Sequence, residues 1–488
     1  MLDILGNYEY NNRNSVKNEV RMFIGRDKEL NILEDLYSSN KFEFLVVYGR
    51  RRVGKTELLK QFASKHKCIF YQAQEKNDTL NIKAFANALN VYYDTNYEMK
   101  FDDWYDILKY LDSMIQTSNE RTVIIIDEFP FIAKDYPAIK SLLQQMIDMS
   151  WKDKNVMLVL CGSSVSFMVN EVLSYSSPLY GRRTFSMEVL PFDYYTASQF
   201  FPNYSEEDKL LAYGILGGVP LYLSMFDSSL SIKDNIKKNI LAVGSFLNEE
   251  TIDLLKMEFR EPKIYNSILT AIANGSSKIN QIKTKINEES SKVSKYLNEL
   301  MEIKLVRKVV SYGEKSDSKN TIYEICDNYF VFWFRYVFKL ANENSLLSLD
   351  TLADIIYNDL SDYMGGRFEK ICQQYLTRLA QNGHAPFMLS SVGRWWGTNN
   401  KLKKQDDIDI LGISGDNVLF CECKFRNELF DMGEFRDFVN ATDIFGEYKN
   451  KFYYLFLKSD CSDAVKKELT SSWRVITLKD LFDKNLLD

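Results

Sequence analysis

Histidine is nearly absent: His66 and His384 are the only two in 488 residues. That excludes a His-rich metal site, and Ser-His-Asp catalysis would have to run through a histidine with no triad motif beside it. The seven cysteines form no CxxC pair, and the nearest two, Cys421 and Cys423, flank a glutamate. An odd, unpatterned set reads as reduced thiols, so a soluble, cytoplasmic protein is expected. No apolar run is long enough to span a bilayer. NYFVFWFRYVF, from Asn328 to Phe338, is short and broken by Arg335, and is expected as a buried helix or interdomain wedge. The opening MLDILGNYEYNNRNS lacks the basic start and long apolar stretch of a signal peptide. An excess of positive charge is also missing: 61 Lys and Arg stand against 67 Asp and Glu, for a formal net charge of −6. Coating nucleic acid through net charge alone is excluded, whereas a local basic patch is not.

What is present is an ordinary globular composition, 45% hydrophobic and 26% charged, at a length that suggests about three domains. A polar, Asn-rich arm covers 1–20. From 21 to 200, short runs such as FEFLVVYG, TVIIIDE and VMLVLCGS alternate with helical stretches such as ELLKQFASKH. Runs without polar alternation fit strands covered on both faces, and strands alternating with amphipathic helices predict a parallel three-layer α/β sheet. Helices dominate 201–260. Three helices and a hairpin over 261–326 give the plan of a winged helix, a helical connector follows over 327–360, and 361–488 returns to mixed α/β.

The motif GRRRVGKT, from Gly49 to Thr56, follows an apolar strand and opens a helix, the setting a phosphate-binding loop requires. Gly49, Arg50, Arg51, Arg52, Val53 and Gly54 wrap a phosphate chain with backbone amides, Lys55 adds positive charge, and Thr56 offers a hydroxyl to Mg²⁺ before Glu57 continues the helix. TVIIIDEF places Asp127 and Glu128 at the sheet's carboxyl edge, where ligands of open α/β sheets bind. Asp127 suits the Mg²⁺, and Glu128 suits orienting and deprotonating the water that attacks the γ-phosphate. LVLCGSS ends another strand with Ser163 and Ser164, one of which contacts the γ-phosphate or its water unless the segment is a plain turn. Arg182 and Arg183 follow the fourth strand, where a neighbouring subunit's nucleotide could meet them; solvated arginines are the alternative.

Six segments in order, FIGRDKEL, GRRRVGKT, IIIDEF, LCGSS, PLYGRRT and GGVPLYL, resemble the motifs of archaeal-type P-loop ATPases, an AAA+-related group within the STAND/MNS signalling NTPases. The resemblance covers roughly 20 to 260. It implies an additional-strand, AAA+-like P-loop core, Gly25 and Arg26 near the adenine, the GGVP segment in a helical lid, an arginine finger at Arg182 or Arg183, and homo-oligomer assembly on ATP binding.

Between Ser276 and Asn320, ten basic residues face six acidic ones, a local excess of +4. The third helix of a helix-turn-helix enters the major groove and the wing touches the backbone, which makes Ser291, Lys292, Ser294 and Lys295 candidate DNA contacts. Winged helices also serve as spacers or protein-docking modules, so DNA contact is one of two readings.

The C-terminal signal is DDIDILGISGDNVLFCECKFR, residues 406–426. A two-residue turn at Gly415-Asp416 pairs Asp409 with Glu422, and Lys424 falls on the same face. Two opposed carboxylates in an apolar hairpin repel unless a cation sits between them, and hard oxygen ligands favour Mg²⁺ or Mn²⁺. A lysine alongside could orient water and stabilise the charge that develops during phosphodiester cleavage. An exposed Lys424 salt-bridge cluster is the alternative. The arrangement resembles the PD-(D/E)xK nuclease superfamily, with Asp409 and Glu422-Cys423-Lys424 in its acidic and ExK positions and Ile408 in place of the nominal Pro. The order helix GRFEKICQQYLTRLA, strand PFMLSSV, hairpin, helix FRDFVNATDIF, strand KFYYLFLKS matches that family's αβββαβ core. The resemblance adds Glu369 to the metal site. Trp395 and Trp396 either stack on bases or anchor the core.

The expectation is thus an ATP-hydrolysing switch joined to a winged helix and a metal-dependent nuclease-like domain acting on DNA, in defence or mobile-element biology, with no membrane partner. The rivals are a nucleotide-gated DNA-binding regulator whose nuclease fold does not cut, and a signalling scaffold that oligomerises with ATP.

Overall fold

The computed structural model describes residues 23–95, 98–118, 120–315, 318, 320–338, 346–399 and 403–487, so the arm expected over 1–20 lies outside the described residues. The first sheet is built from β1 (Glu43–Tyr48), β2 (Cys68–Gln72), β3 (Thr122–Asp127), β4 (Val156–Gly162) and β5 (Phe185–Glu188). Every residue of β3 and β4 is buried, as runs without polar alternation require. All pairings are parallel, in the order β2-β3-β4-β1-β5. The phosphate-loop strand β1 and the acidic strand β3 are therefore separated by β4, the additional strand. Helices α1 (Asp27–Ser38) and α2 (Lys55–Ala63) cover one face with Leu33, Leu58 and Phe62. Helices α3 (Asp78–Tyr93), α4 (Trp104–Thr117), α5 (Phe129–Asp135) and α6 (Ile139–Met149) cover the other. Asn77 and Asp103 cap α3 and α4 by accepting backbone N–H groups, each worth about 1 kcal/mol.

Beyond β5 the chain is helical through α7 (Glu206–Leu216) and α8 (Phe246–Glu258). Three helices follow, α9 (Lys263–Ala273), α10 (Ile279–Ile286) and α11 (Ser290–Glu302), then an antiparallel hairpin of β6 (Val306–Val310) and β7 (Thr321–Ile325). The aromatic run from Asn328 forms a buried helical segment, with Tyr329 and Phe334 both at 0% exposure. Next comes α12 (Leu349–Gln381), a single helix of 33 residues. The boundary expected at 360/361 falls inside it, so connector and C-terminal unit share one element.

The second sheet comprises β8 (Gly393–Asn399), β9 (Lys404–Ser414), β10 (Asn417–Lys424), β11 (Asn450–Leu457) and β12 (Trp473–Thr477), in the order β12-β11-β10-β9-β8. Helix α13 (Met432–Thr442) packs on the face opposite α12. Strand PFMLSSV is a correction: the strand begins at Gly393, seven residues after Pro386. Phe387, Leu389 and Val392 instead pack irregularly on the core, and Pro386 has no N–H to give a ladder. The β9–β10 register runs from Ser414↔Asn417 to Ile410↔Cys421, set by the turn at Gly415, whose φ is +58°. One hydrophobic core stretches from Phe192 through the lid, the three-helix unit and α12 to Leu487. Among the described residues no helix is long and apolar enough to cross a membrane.

Candidate nucleotide site and a C-terminal carboxylate cluster

The loop between β1 and α2 is shaped by its glycines. A Cβ on Gly49 would lie 2.3 Å from the Val189 carbonyl oxygen, and Gly54 adopts φ +91° as the N-cap of α2. Arg52, with φ +70°, holds a conformation that costs a non-glycine residue energy, and such positions gather at functional sites. Lys55 folds back over the loop, donating from Nζ to the Gly49 and Arg50 carbonyls at 2.9 Å each. Burial lowers its pKa, against the pull of Glu128 and Asp127 nearby. Thr56 Oγ1 donates to Oδ2 of the fully buried Asp127 at 2.6 Å. Glu128 sits at φ +53°, and its Oε2 accepts from the Ser163 hydroxyl at 2.8 Å and the Ser163 N–H at 3.3 Å. Ser164 instead precedes a short helix as its N-cap.

Lys55, Thr56, Glu128 and Ser163 open onto a cavity of 580 Å³. Its polar lining includes Lys55, Thr56, Glu57, Glu128 and Ser163, with Arg51, Arg52, Val53 and Gly54. Its apolar lining includes Phe23, Ile24, Phe192, Phe200, Leu221 and Met257. A cavity lined both by apolar side chains and by a cationic, amide-rich loop suits a ligand with a base and phosphates. Gly25, at φ +66°, lies between Ile24 and Arg26 of the cavity wall. Arg26 also braces the wall: its Nη2 donates to the Val53 and Leu190 carbonyls at 2.8 and 2.7 Å, and its guanidinium lies 4.2 Å from the Phe192 ring centroid.

Three of the candidate arginines send their side chains elsewhere. Arg50 turns away from the cavity to pair with Asp327 at 3.0 Å, because a buried guanidinium needs a carboxylate. Arg182 and Arg183 do not line the cavity either. Arg182 pairs with Asp148 through Nε and Nη2 at 2.9 and 2.8 Å, and Arg183 donates to the Leu173 carbonyl at 3.2 Å. The other two loop arginines are tied as well, Arg52 to Glu250 at 2.7 Å and Arg51 near Glu258 at 3.8 Å, both acids on α8.

Residues 23–226 match a family described as an ATPase domain predominantly from Archaea. An uncharacterized protein of Methanocaldococcus jannaschii is 34% identical over 410 residues, spanning 83% of this chain and 88% of the relative. The chain belongs to this family of archaeal P-loop ATPases. An uncharacterized ATP-binding protein of the same organism is 24% identical over 302 residues, 50% of this chain and 79% of the relative. The Walker-type ATPase of Pyrococcus abyssi shares the fold at a TM-score of 0.50 and 19% identity, over 64% of this chain and 96% of that one. Residues 333–437 match a family of archaeal and bacterial proteins of unknown function.

In the C-terminal sheet of the ATPase, the hairpin brings Asp409, Glu422 and Lys424 together. Asp409 Oδ2 accepts the Cys423 N–H at 2.9 Å, and Lys424 donates to Glu422. Glu369 approaches from α12, with Arg394 at 3.8 Å. Burial first, and the Asp409 charge second, push Glu369 and Glu422 each up to about 7. Asp409 is raised too, by burial, with Lys424 and the Cys423 amide opposing. Yet among the described residues no three Asp, Glu, His or Cys side chains converge closely enough to hold a metal ion. With Lys424 engaging Glu422 and an amide engaging Asp409, the acids do not form a ready ligand set.

Three of the four candidate DNA contacts on α11 engage groups of their own helix or the turn before it. Ser291 is exposed, Lys292 pairs with Glu288 at 2.9 Å, Ser294 donates to the Ser290 carbonyl at 2.8 Å, and Lys295 lies 3.9 Å from Glu299. The turn that leaves β6 docks on the second sheet through its first two residues. The Tyr312 N–H donates to the Arg394 carbonyl at 2.8 Å, and the Ser311 hydroxyl donates to the Trp396 carbonyl at 2.8 Å. Residues 316, 317 and 319 of the tip lie outside the described residues. Trp395 anchors the core, its ring 5.3 Å from that of Phe445. Sequence reasoning missed Phe192, Phe200 and Met257 in the cavity and the acids Glu250, Glu258 and Asp327. No local pattern marks them, because each reaches the site through tertiary packing.

Proposed function

We propose that this ATPase is a nucleotide-driven switch acting on nucleic acid, with Asp409, Glu422 and Lys424 as its phosphodiester-cleaving centre. In the nucleotide site, Thr56 and Asp127 are already paired in a buried spot beside Lys55, a fit for the Mg²⁺ that accompanies ATP and neutralises phosphate charge when bound. Glu128, held by Ser163, accepts the proton of the attacking water, and Lys55 with the α2 amides stabilises the charge that develops on phosphate. Arg182 or Arg183 enters a neighbouring subunit's site in an ATP-dependent assembly.

The observation that supports the second half is the gathering of half-buried carboxylates beside Lys424, two of them raised by the charge of Asp409. A cluster this costly has no packing need. The three-helix and hairpin unit resembles a winged helix and supplies a second contact with DNA through Ser291, Lys292, Ser294 and Lys295. Since the acids do not converge, no step is routed through Mg²⁺ or Mn²⁺ here. That same observation favours a second reading, a regulator that binds DNA without cutting it.

Cleavage of plasmid, linear duplex, single-stranded DNA and RNA, with and without Mg²⁺ or Mn²⁺ and ATP, separates the two. Cutting by the wild type that is lost in Asp409→Ala supports the cleaving centre. No cutting with ATP hydrolysis intact leaves the binding regulator.

A further inference from the structure

Three cavities follow one another along a single stripe of α12. The first, of 1060 Å³, lies between α9, β7 and the helix from Ile355 to Arg367. The second, of 500 Å³, lies between the hairpin, α12 and the start of β8, and Glu369 is in its wall. The third, of 650 Å³, continues past Lys370 and Thr377 to Arg50 and Asp327 behind the phosphate loop. Neighbours share walls: Gly366, Arg367 and Arg394 line the first and second, and Arg307, Lys370 and Gln373 line the second and third. Asp359, Asp362, Gly366, Lys370, Gln373 and Thr377 recur at helical spacing, a polar stripe roughly 27 Å long on a helix whose other side is buried.

Two features mark this part of the helix. Gly365 and Gly366 sit in mid-helix, both exposed, with no atom within 4 Å of where a Cβ would lie. Neither has a positive φ, so neither the turn geometry nor a close neighbour demands glycine, while each weakens the helix. Beside them the Arg367 guanidinium lies 5.8 Å from the Tyr363 ring centroid; it has no carboxylate partner among the described residues, and its buried Nε has no hydrogen-bond partner there. The middle cavity is lined by five Lys and Arg against three Glu. Within it, Arg307 and Lys370 both hold the Glu324 carboxylate, at 3.0 and 3.1 Å, as they would hold a phosphate.

We infer that this cleft holds one strand of nucleic acid by its phosphodiester backbone. Arg367 contacts a phosphate, Gly366 leaves a floor that lets the backbone approach, and the strand passes Glu369 at the carboxylate cluster. The occupant is a single strand because the hairpin is closed onto β8 through Ser311 and Tyr312 and bridged to α12 through Glu324 and Lys370, which leaves a channel where a duplex would need an open trough. The inference rests on the proposed cleaving centre only for what becomes of the strand, since binding is read separately.

The test is fluorescence anisotropy of the full chain with labelled single-stranded DNA, and in parallel single-stranded RNA, in EDTA so that no cutting intervenes. Arg367→Gln is expected to weaken binding about tenfold and to lower the salt slope by about 0.7. Gly366→Leu points a side chain into open space and improves helix propensity, so it should melt no lower than wild type while obstructing the strand. Weakened binding in both variants supports the cleft, and the stronger of the DNA and RNA arms identifies the strand. Wild-type affinity in both variants overturns it, as does the absence of single-strand binding at low salt. Binding lost in Gly366→Leu but without metal-dependent cutting by the wild type sinks the cleaving centre and leaves the cleft. Cutting that is unaffected by Gly366→Leu does the reverse.

Discussion

Replacing Asp409 by asparagine should make the protein more stable at alkaline pH and leave it little changed at acidic pH. Glu369 and Glu422 are held near 7 in the fold, above the usual carboxylate value, by burial and then by the charge of Asp409, with Arg394 and Lys424 opposing. The folded protein therefore keeps protons that an unfolded chain would release between about pH 4.5 and about pH 7. The stabilisation is full below the lower value and is lost as pH rises through the upper one. One group shifted that far is worth on the order of 3 kcal/mol. Because both glutamates feel the same aspartate, the pair is not twice that. In Asp409→Asn the new amide oxygen would still accept the Cys423 N–H but would carry no charge, so both glutamates would lose that push and keep the one from burial, falling part of the way. Thermal melting between about pH 5 and about pH 8 should show the wild type losing several degrees more than the variant. The raised Glu250 is common to both proteins and cancels in the difference. Parallel melting curves for the two proteins would refute the argument, because they would mean that the three acids do not sense one another.

The nucleotide site yields two further expectations. Glu128→Gln should keep ATP bound while lowering single-turnover hydrolysis by roughly 10²–10⁴-fold, and a normal rate would remove Glu128 from the base role. Arg52→Ala should destabilise the protein by about 3–5 kcal/mol, since it leaves the 1%-exposed Glu250 carboxylate with only the Tyr222 hydroxyl. Adding Glu250→Gln should restore much of the loss in urea melts, and an unchanged midpoint for the single variant would show that the ion pair contributes nothing to the lid.

Local chemistry explains which parts of this molecule are legible in its sequence. The strands β1, β3 and β4 declare themselves because a sheet covered on both faces needs uninterrupted apolar runs. The β9–β10 register follows from one glycine turn, and with it the meeting of Asp409 and Glu422. Sequence pattern misplaces β8 because PFMLSSV and GRWWGTN are both apolar enough to be strands. Pairing decides between them: Trp396 reaches Asp407 across the ladder, whereas the segment after Pro386 finds no partner strand among the described residues. The destinations of Arg50, Arg51 and Arg52 are illegible for a different reason. Their acids lie about 200 to 280 residues away in sequence, and neither period nor motif links an arginine to a distant carboxylate.

Those three ion pairs also explain why the chain is not a string of separable modules. Asp327 pairs with Arg50 through one oxygen and caps the buried aromatic helix through the other, accepting the Tyr329 N–H at 2.8 Å. From that helix the core continues without a break into α12, where the Tyr363 hydroxyl donates to the Gly214 carbonyl of the lid at 2.8 Å. Farther along α12, Arg378 grips Asp193 just after β5. The phosphate loop, the lid and the helix that carries Glu369 are thus parts of one packed body. A ligand shifts such a body only by the difference in its affinity for two arrangements. Glu250, Glu258 and Asp327 already engage the arginines of the phosphate loop, so phosphates bound there would meet a loop whose charge is partly answered. No flexible linker follows the lid toward Glu369, because the 33-residue helix that carries it shares the lid's core.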